Sequence, residues 1–292
     1  CRKRRHTCRL RKILKTKKVG HTGTLDPGVE GVLPICIGQA TRIAEYLTDA
    51  GKTYEAVVSL GRTTTTEDAE GETVEAHNQF QSYTRAQILQ ALASLTGEIE
   101  QTPPMFSAVK VNGKKLYEYA RAGQTVERPT RKITIYELEL LSEGDVFEGD
   151  EVQFSIRIKC SKGTYIRTLA VQIGEALGVP AHMHELVRTM SGTFHVGNCL
   201  TLAQVAEKME QGDQSFILPV EYALSDFPFI AIDAEGPAIE KKINNGQQLP
   251  VHPLLNENDK IVYTKDGKAF AVYMKHPEKE GMMKLDKMFP NV

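Results

Sequence analysis

Within ten residues, Lys18-Val19-Gly20-His21-Thr22-Gly23-Thr24-Leu25-Asp26-Pro27, the chain carries two glycines, a proline and two side chains capable of acid–base chemistry. Pro27 fixes its own φ and drives Asp26 towards extended angles, so no helix runs through the segment. Gly20 and Gly23 open backbone conformations closed to other residues. Asp26 therefore stands on a stiff turn, with His21 five positions earlier, and such loops are where binding and catalysis concentrate. Asp-Pro also begins many helices, with Asp as N-cap and Pro at the first helical position. Gly28, Gly31 and Pro34 interrupt the next eight residues, and a helical pattern resumes only near Gln39-Ala40-Thr41. The loop is thus expected to continue past Asp26.

Charge is gathered next to this loop. The net charge is −1, yet residues 1–18 hold ten Lys or Arg and no acid, leaving a balance of −11 on the remainder. Such a run is commonly a solvated tail, but positive charge concentrated beside a polar loop also suits a polyanionic partner. A second basic stretch lies at 102–132, where Lys110, Lys114, Lys115, Arg121, Arg128, Arg131 and Lys132 face two acids, with Tyr117 and Tyr119 interleaved. That pattern reads as a flap over nucleic acid or as a plain basic hairpin. The five cysteines are scattered without a Cys-x-x-Cys pair, which favours reduced thiols over disulfides or a zinc knuckle. No apolar run is long enough to span a bilayer or form the core of a signal peptide.

Between these stretches the elements alternate. Residues 9–18 read as a short basic helix with Leu10, Ile13 and Leu14 on one face, and Thr41–Leu47 as a second helix. Strands are expected over 53–60, 133–141 and 152–159, the last two joined by an acidic turn at 143–151. Thr84–Leu95 and Thr201–Met209 each begin with a capping box, Thr84-x-x-Gln87 and Thr201-x-x-Gln204. In the first of these helices Ile88, Leu89, Leu92 and Leu95 form the inward stripe. Asn112-Gly113 and Asp266-Gly267 mark hairpins. The residues from about 230 onward read as a small β unit. His182 and His184 invite a metal reading, but no third ligand stands at usable spacing.

The run Gly20–Pro27, followed by Gly31-Val32-Leu33-Pro34 and Gly38-Gln39-Ala40-Thr41-Arg42, closely resembles the catalytic segment of the tRNA pseudouridine synthase B family, in order and without gaps. Ser161-Lys162-Gly163-Thr164-Tyr165-Ile166-Arg167 is similar to the family's second motif, and Ala181–Thr189 to a third. The resemblance covers residues 16–224 well and is looser beyond. It implies an α+β pseudouridine-synthase fold, with a mixed, largely antiparallel central sheet flanked by helices. A catalytic domain would span 1–229, including an RNA-gripping insertion at about 102–132, and a small PUA-like β domain 230–292. Residues 1–8 lack the Lys-Pro-x-Gly-x-Thr-Ser strand with which the family begins, which implies a truncated or diverged start.

The implied activity is that of a tRNA pseudouridine(55) synthase, an isomerase acting on the uridine of the TΨC loop by base flipping. By the resemblance Asp26 is the catalytic residue, Arg167 its partner, and Tyr54 the tyrosine that stacks on the uracil and helps remove the C5 proton. His21 wedges into the RNA loop, and Leu186 lies against the target nucleotide. Arg42, Asp68, Lys110, Lys114 and Tyr165 complete the implied RNA contacts. Attack by Asp26 at C1′ and proton abstraction at C2′ are both open. The family implies no cofactor and no metal, a cytoplasmic monomer, and tRNA, through its TΨC stem-loop, as partner, without a membrane. Two rivals stand beside this reading: a non-catalytic tRNA-binding or folding protein of the same fold, and a hydrolase using two carboxylates. The second lacks an evident second acid on a comparable loop.

Overall fold

The computed structural model describes residues 2–289. Contacts divide the chain into two compact units: residues 23–33 with 48–199, and residues 1–22 and 34–47 with 200–292.

The first unit is built on a seven-stranded mixed sheet, as expected. Its order is Phe194–His195, Ala181–Ser191, Lys52–Leu60, Val152–Cys160, Arg131–Leu140 and Gly97–Gln101, with Glu30–Gly31 added beside Ala181–Ser191. Every pairing is antiparallel except that last one. The Lys52–Leu60 strand alternates apolar residues onto one face, and Tyr54, Ala56, Val58 and Leu60 are buried there. Two helices close over this face. Arg85–Ser94 contributes Ile88 and Leu92, and Ile166–Leu177 contributes Leu169, Ala170 and Ile173. The capping box of the first helix is formed in both directions between Thr84 and Gln87.

Two expectations need correction here. Leu89 is 44% exposed, because the buried stripe runs through Ile88, Ala91 and Leu92 and Leu89 lies a further 100° round the helix. The acidic stretch 143–151 is not only a turn, since it holds the strand Val146–Gly149 paired with Gln81–Thr84. Phe147 turns inward there against Phe154, which gives a short, charged segment its reason to pair.

In the second unit, the helix Arg2–Ile13 sets Leu10 against Val19 and Val205. Val19–His21 and Ile35–Ile37 form a two-stranded ribbon. A 3₁₀ segment, Gly38–Ile43, leads into the helix Ala44–Asp49, so helical turns begin three residues earlier than expected. Thr201–Gln204 caps Leu202–Glu210 as anticipated. The C-terminal part is a five-stranded sheet in the order Phe229–Ala231, Lys260–Lys265, Lys268–Lys275, Met282–Met288 and Leu249–Pro250. Both Asn112-Gly113 and Asp266-Gly267 close hairpins with positive φ at each residue, as the primed turns demand. Ile43 packs with Leu224, Val262 and Val272, and the Tyr46 hydroxyl donates to Asp286 at 2.6 Å. These contacts tie residues 34–47 to the C-terminal sheet, so the compact units do not follow a single cut at 229/230. Among the described residues no helix is long and apolar enough to cross a membrane.

Candidate active site

Asp26 begins a β-turn closed by the Val29 N–H donating to its carbonyl at 3.2 Å. Pro27 supplies the fixed φ of the second position and Gly28, at φ +79°, the left-handed third position of a type II turn. The N-cap alternative is thereby excluded: a turn, not a helix, follows Asp26. The carboxylate is 42% exposed and forms an ion pair with Arg167 at 2.8 Å.

Arg167 is itself buried, 5% exposed, in the first turn of the helix Ile166–Leu177. A buried guanidinium is costly unless paired, and both terminal nitrogens of this one have partners. It donates to the carbonyls of Thr66 at 2.9 Å and Phe106 at 3.1 Å, and Asp68 lies 3.8 Å away. Asp68 is held in turn by the Thr66 hydroxyl at 2.5 Å and the Glu70 N–H at 3.1 Å. The planar fork of arginine can serve several acceptors in fixed directions, which aims the remaining N–H at Asp26. The neighbouring Thr168 hydroxyl donates to Glu67, whose pKa burial pushes up.

The third anchor of the site, Arg188, carries no role in the sequence reading. It is 2% exposed and donates through Nε to the Val32 carbonyl at 2.7 Å and through a terminal nitrogen to the Gly23 carbonyl at 3.3 Å. Its own carbonyl accepts from the Val32 N–H at 2.8 Å. Arg188 therefore holds both ends of the Asp26 loop against the sheet. Gly31 lets the two backbones meet: a Cβ there would stand 2.1 Å from the Arg188 carbonyl oxygen, and its φ is +109°. Gly31→Ala is expected to lower stability by more than about 3 kcal/mol. In a thermal melt that is a fall of roughly 6–12 °C, while an unchanged midpoint would show that the loop does not depend on this contact.

Tyr54 is buried on the central strand opposite Arg188 in register. Burial pushes its pKa up, with Arg188 acting in the other direction and Asp26 adding to the rise. Tyr165 precedes Arg167 and is half-buried; its pKa too is raised by burial, offset by the nearby Ser107 hydroxyl, and feels both Asp26 and Arg167. Leu186 is partly buried against the sheet core beside Ala56.

One unit therefore brings together Asp26, Tyr54, Asp68, Tyr165, Arg167 and Leu186. Lys110 and Lys114 lie exposed in the same unit on the Lys110–Val111 and Lys114–Lys115 hairpin. Lys114 stands over Tyr119 at 5.8 Å and Lys115 over Tyr117 at 5.5 Å. His21 and Arg42 belong to the other unit. His21 ends the Val19–His21 strand, with a buried Nδ1 that has no partner. Arg42 donates to the Met288 carbonyl at 2.7 Å. Pairing of the strands places Glu151 beside His182 and His184, a neighbour that spacing along the chain does not reveal.

The N-terminal domain of TruB family pseudouridylate synthase matches residues 11–166, and the C-terminal domain of tRNA pseudouridylate synthase B matches 167–225. The chain is 53% identical over 289 residues to tRNA pseudouridine synthase B of Geobacillus thermodenitrificans, covering 97% of this chain and 95% of that one. With the protein of the same name from Halalkalibacterium halodurans it shares 51%, covering 98% and 93%. Among solved structures, a chain of a Cbf5-Nop10-Gar1 complex matches with a TM-score of 0.68 at 28% identity, over 97% of this chain and 79% of that one. A chain of an H/ACA RNP bound to a substrate RNA containing 2′-deoxyuridine matches at 0.67 and 25%, over 98% and 81%. With both family domains and the aspartate–arginine pair in place, the chain belongs to the TruB family of pseudouridylate synthases, which are isomerases.

Proposed function

We propose that this chain is a tRNA pseudouridine(55) synthase, acting as a cytoplasmic monomer on the uridine of the TΨC loop. The observation that carries the reading is the Asp26 carboxylate held at 2.8 Å by a buried arginine on a stiff turn. Support for tRNA as substrate comes from relatives at 51–53% identity that bear the name tRNA pseudouridine synthase B.

The chemistry asks little else of the protein. Uridine and pseudouridine are isomers, so breaking N1–C1′, turning the base and joining C5 to C1′ consumes no oxidant, reductant or energy donor. The uridine must first leave its stack, at a cost of about a few kcal/mol. His21 is assigned to the space it vacates and Leu186 and Tyr165 to the flipped nucleotide, with Tyr54 as the surface on which the uracil rests. Asp26 acts at the sugar, and the ion pair with Arg167 fixes its direction. Asp68, held by Thr66, keeps Arg167 in place and borders the nucleotide. Arg42 is assigned an RNA contact, and the C-terminal β sheet is assigned as the PUA-like domain.

The hairpin at 102–132 is assigned to grip phosphates. Each lysine–phosphate contact contributes about 0.7–0.9 to the slope of log affinity against log salt. Replacing Lys110, Lys114 and Lys115 with Gln is expected to flatten that slope by up to about 2–3 units, with turnover preserved at saturating tRNA. An unchanged slope in a filter-binding titration would make the hairpin a bystander. The site assignment is tested by incubating unmodified tRNA transcripts with the protein and mapping pseudouridine by chemical adduct and primer extension. One modified position is expected, U55, and none in a transcript carrying C55; modification elsewhere would overturn it.

A further inference from the structure

The cluster at the far end of the Ala181–Ser191 strand has no part in the isomerisation chemistry. Ligand-capable atoms of Glu151, His182 and His184 all lie within 4.8 Å of one another. Period-two geometry puts residues 182 and 184 on one side of a strand. A bulge modifies it here: Met183 pairs with Val58 and Glu185 with Val57, leaving His184 as the extra residue. The rings stand 6.2 Å apart.

The hydrogen-bond pattern around the two rings suits an electropositive ligand. His182 is fully buried, and its Nδ1 lies 3.0 Å from the Arg62 carbonyl oxygen. A carbonyl can only accept, so Nδ1 carries the proton and Nε2 of the neutral ring is a bare lone pair. That Nε2 is buried and has no hydrogen-bond partner, and the same is true of Nδ1 of His184. Orphaned polar atoms in a buried position are costly unless something fills the space between them. A backbone carbonyl on the second nitrogen is the usual way in which a metal-binding imidazole is oriented. The carboxylate beside them is exposed, which gives a route from solvent, and its Oε1 is fixed by the Ser59 hydroxyl at 2.5 Å, with Arg62 Nε at 3.6 Å.

We propose that Glu151, His182 and His184 form a binding site for one divalent transition-metal ion of the zinc type, completed by water. Two imidazole nitrogens and a carboxylate oxygen are a ligand set that zinc accepts, with one position left open. Ligand atoms around tetrahedral zinc stand about 3.3 Å apart, a distance reached by small rotations of the exposed Glu151 and half-buried His184. The ion would brace the stretch that supports Asp68. Met183, between the two histidines, donates to the Glu67 carbonyl at 3.1 Å and bridges to Asp68, while His182 holds the Arg62 carbonyl at the start of the same loop.

The test is metal analysis and Co²⁺ titration of the full chain. After dialysis against Zn²⁺, one equivalent is expected per chain; Co²⁺ is expected to give a visible d–d absorption band, and Zn²⁺ to raise the melting temperature in a concentration-dependent way. Glu151→Gln and His184→Gln are each expected to weaken binding at least tenfold with the far-ultraviolet circular dichroism unchanged. Glu151 is exposed, so its variant decides the matter even if the histidine variant loses structure. Wild-type protein that binds no equivalent, or binding of equal affinity in the Glu151→Gln variant, would overturn the proposal.

Discussion

Replacing Asp26 with asparagine is expected to lower pseudouridine formation by about a thousandfold or more, since the substitution removes the one ionised group aimed from the loop. The fold should survive it. The side chain is 42% exposed, and the asparagine oxygen can still accept from Arg167, which keeps the carbonyls of Thr66 and Phe106 as partners. The loss of stability is therefore put at no more than about 1–2 kcal/mol, since the ion pair is open to solvent on one side. Affinity for tRNA should change by less than about 1 kcal/mol, because the carboxylate acts in the chemical step rather than in holding the backbone. Single-turnover kinetics and a filter-binding titration check both numbers together. Activity within tenfold of wild type would remove Asp26 from the chemistry.

Arg167→Lys ranks second in expected effect. Four acceptors surround the guanidinium: Asp26, the Thr66 and Phe106 carbonyls, and Asp68. An ammonium keeps the charge but presents one nitrogen, so it cannot reach both carbonyls and still be aimed at Asp26. Turnover is expected to fall about a hundredfold through loss of orientation. A buried carbonyl left unpaired should also cost about 1–3 kcal/mol of stability. Stopped-time assays with a thermal melt separate the two effects. A turnover within threefold of wild type would show that charge alone, and not direction, is what Asp26 requires.

The parts of this molecule legible in the sequence are those fixed by local rules. Pro27 and Gly28 dictate a turn whatever surrounds them, and the Thr-x-x-Gln caps and the Asn-Gly and Asp-Gly hairpins act within four residues. The Asp26–Arg167 pair joins residues 141 positions apart, and only the resemblance of two motifs linked them. Arg188 was in view within a motif, yet its partners are backbone carbonyls at 23 and 32, and a carbonyl has no letter in the sequence. Glu151 meets His182 through strand pairing rather than spacing, so a search along the chain for a third ligand fails. Leu89 and the Val146–Gly149 strand depart from the sequence pattern for one reason: burial depends on which neighbour lies opposite. The grouping of residues 34–47 with the C-terminal sheet rests likewise on Ile43 and Tyr46 finding partners more than 170 residues away.

The central claim is that this protein isomerises uridine in tRNA rather than only binding it. Release of tritium from unmodified tRNA carrying uridine labelled at C5 tests that claim most directly, because C5 loses its hydrogen only when the new glycosidic bond forms there. Wild-type protein is expected to release close to one uridine equivalent per tRNA over many turnovers, and the Asp26→Asn variant essentially none. Wild-type protein that binds the tRNA yet releases no tritium would contradict the account and leave a non-catalytic tRNA-binding protein of the same fold.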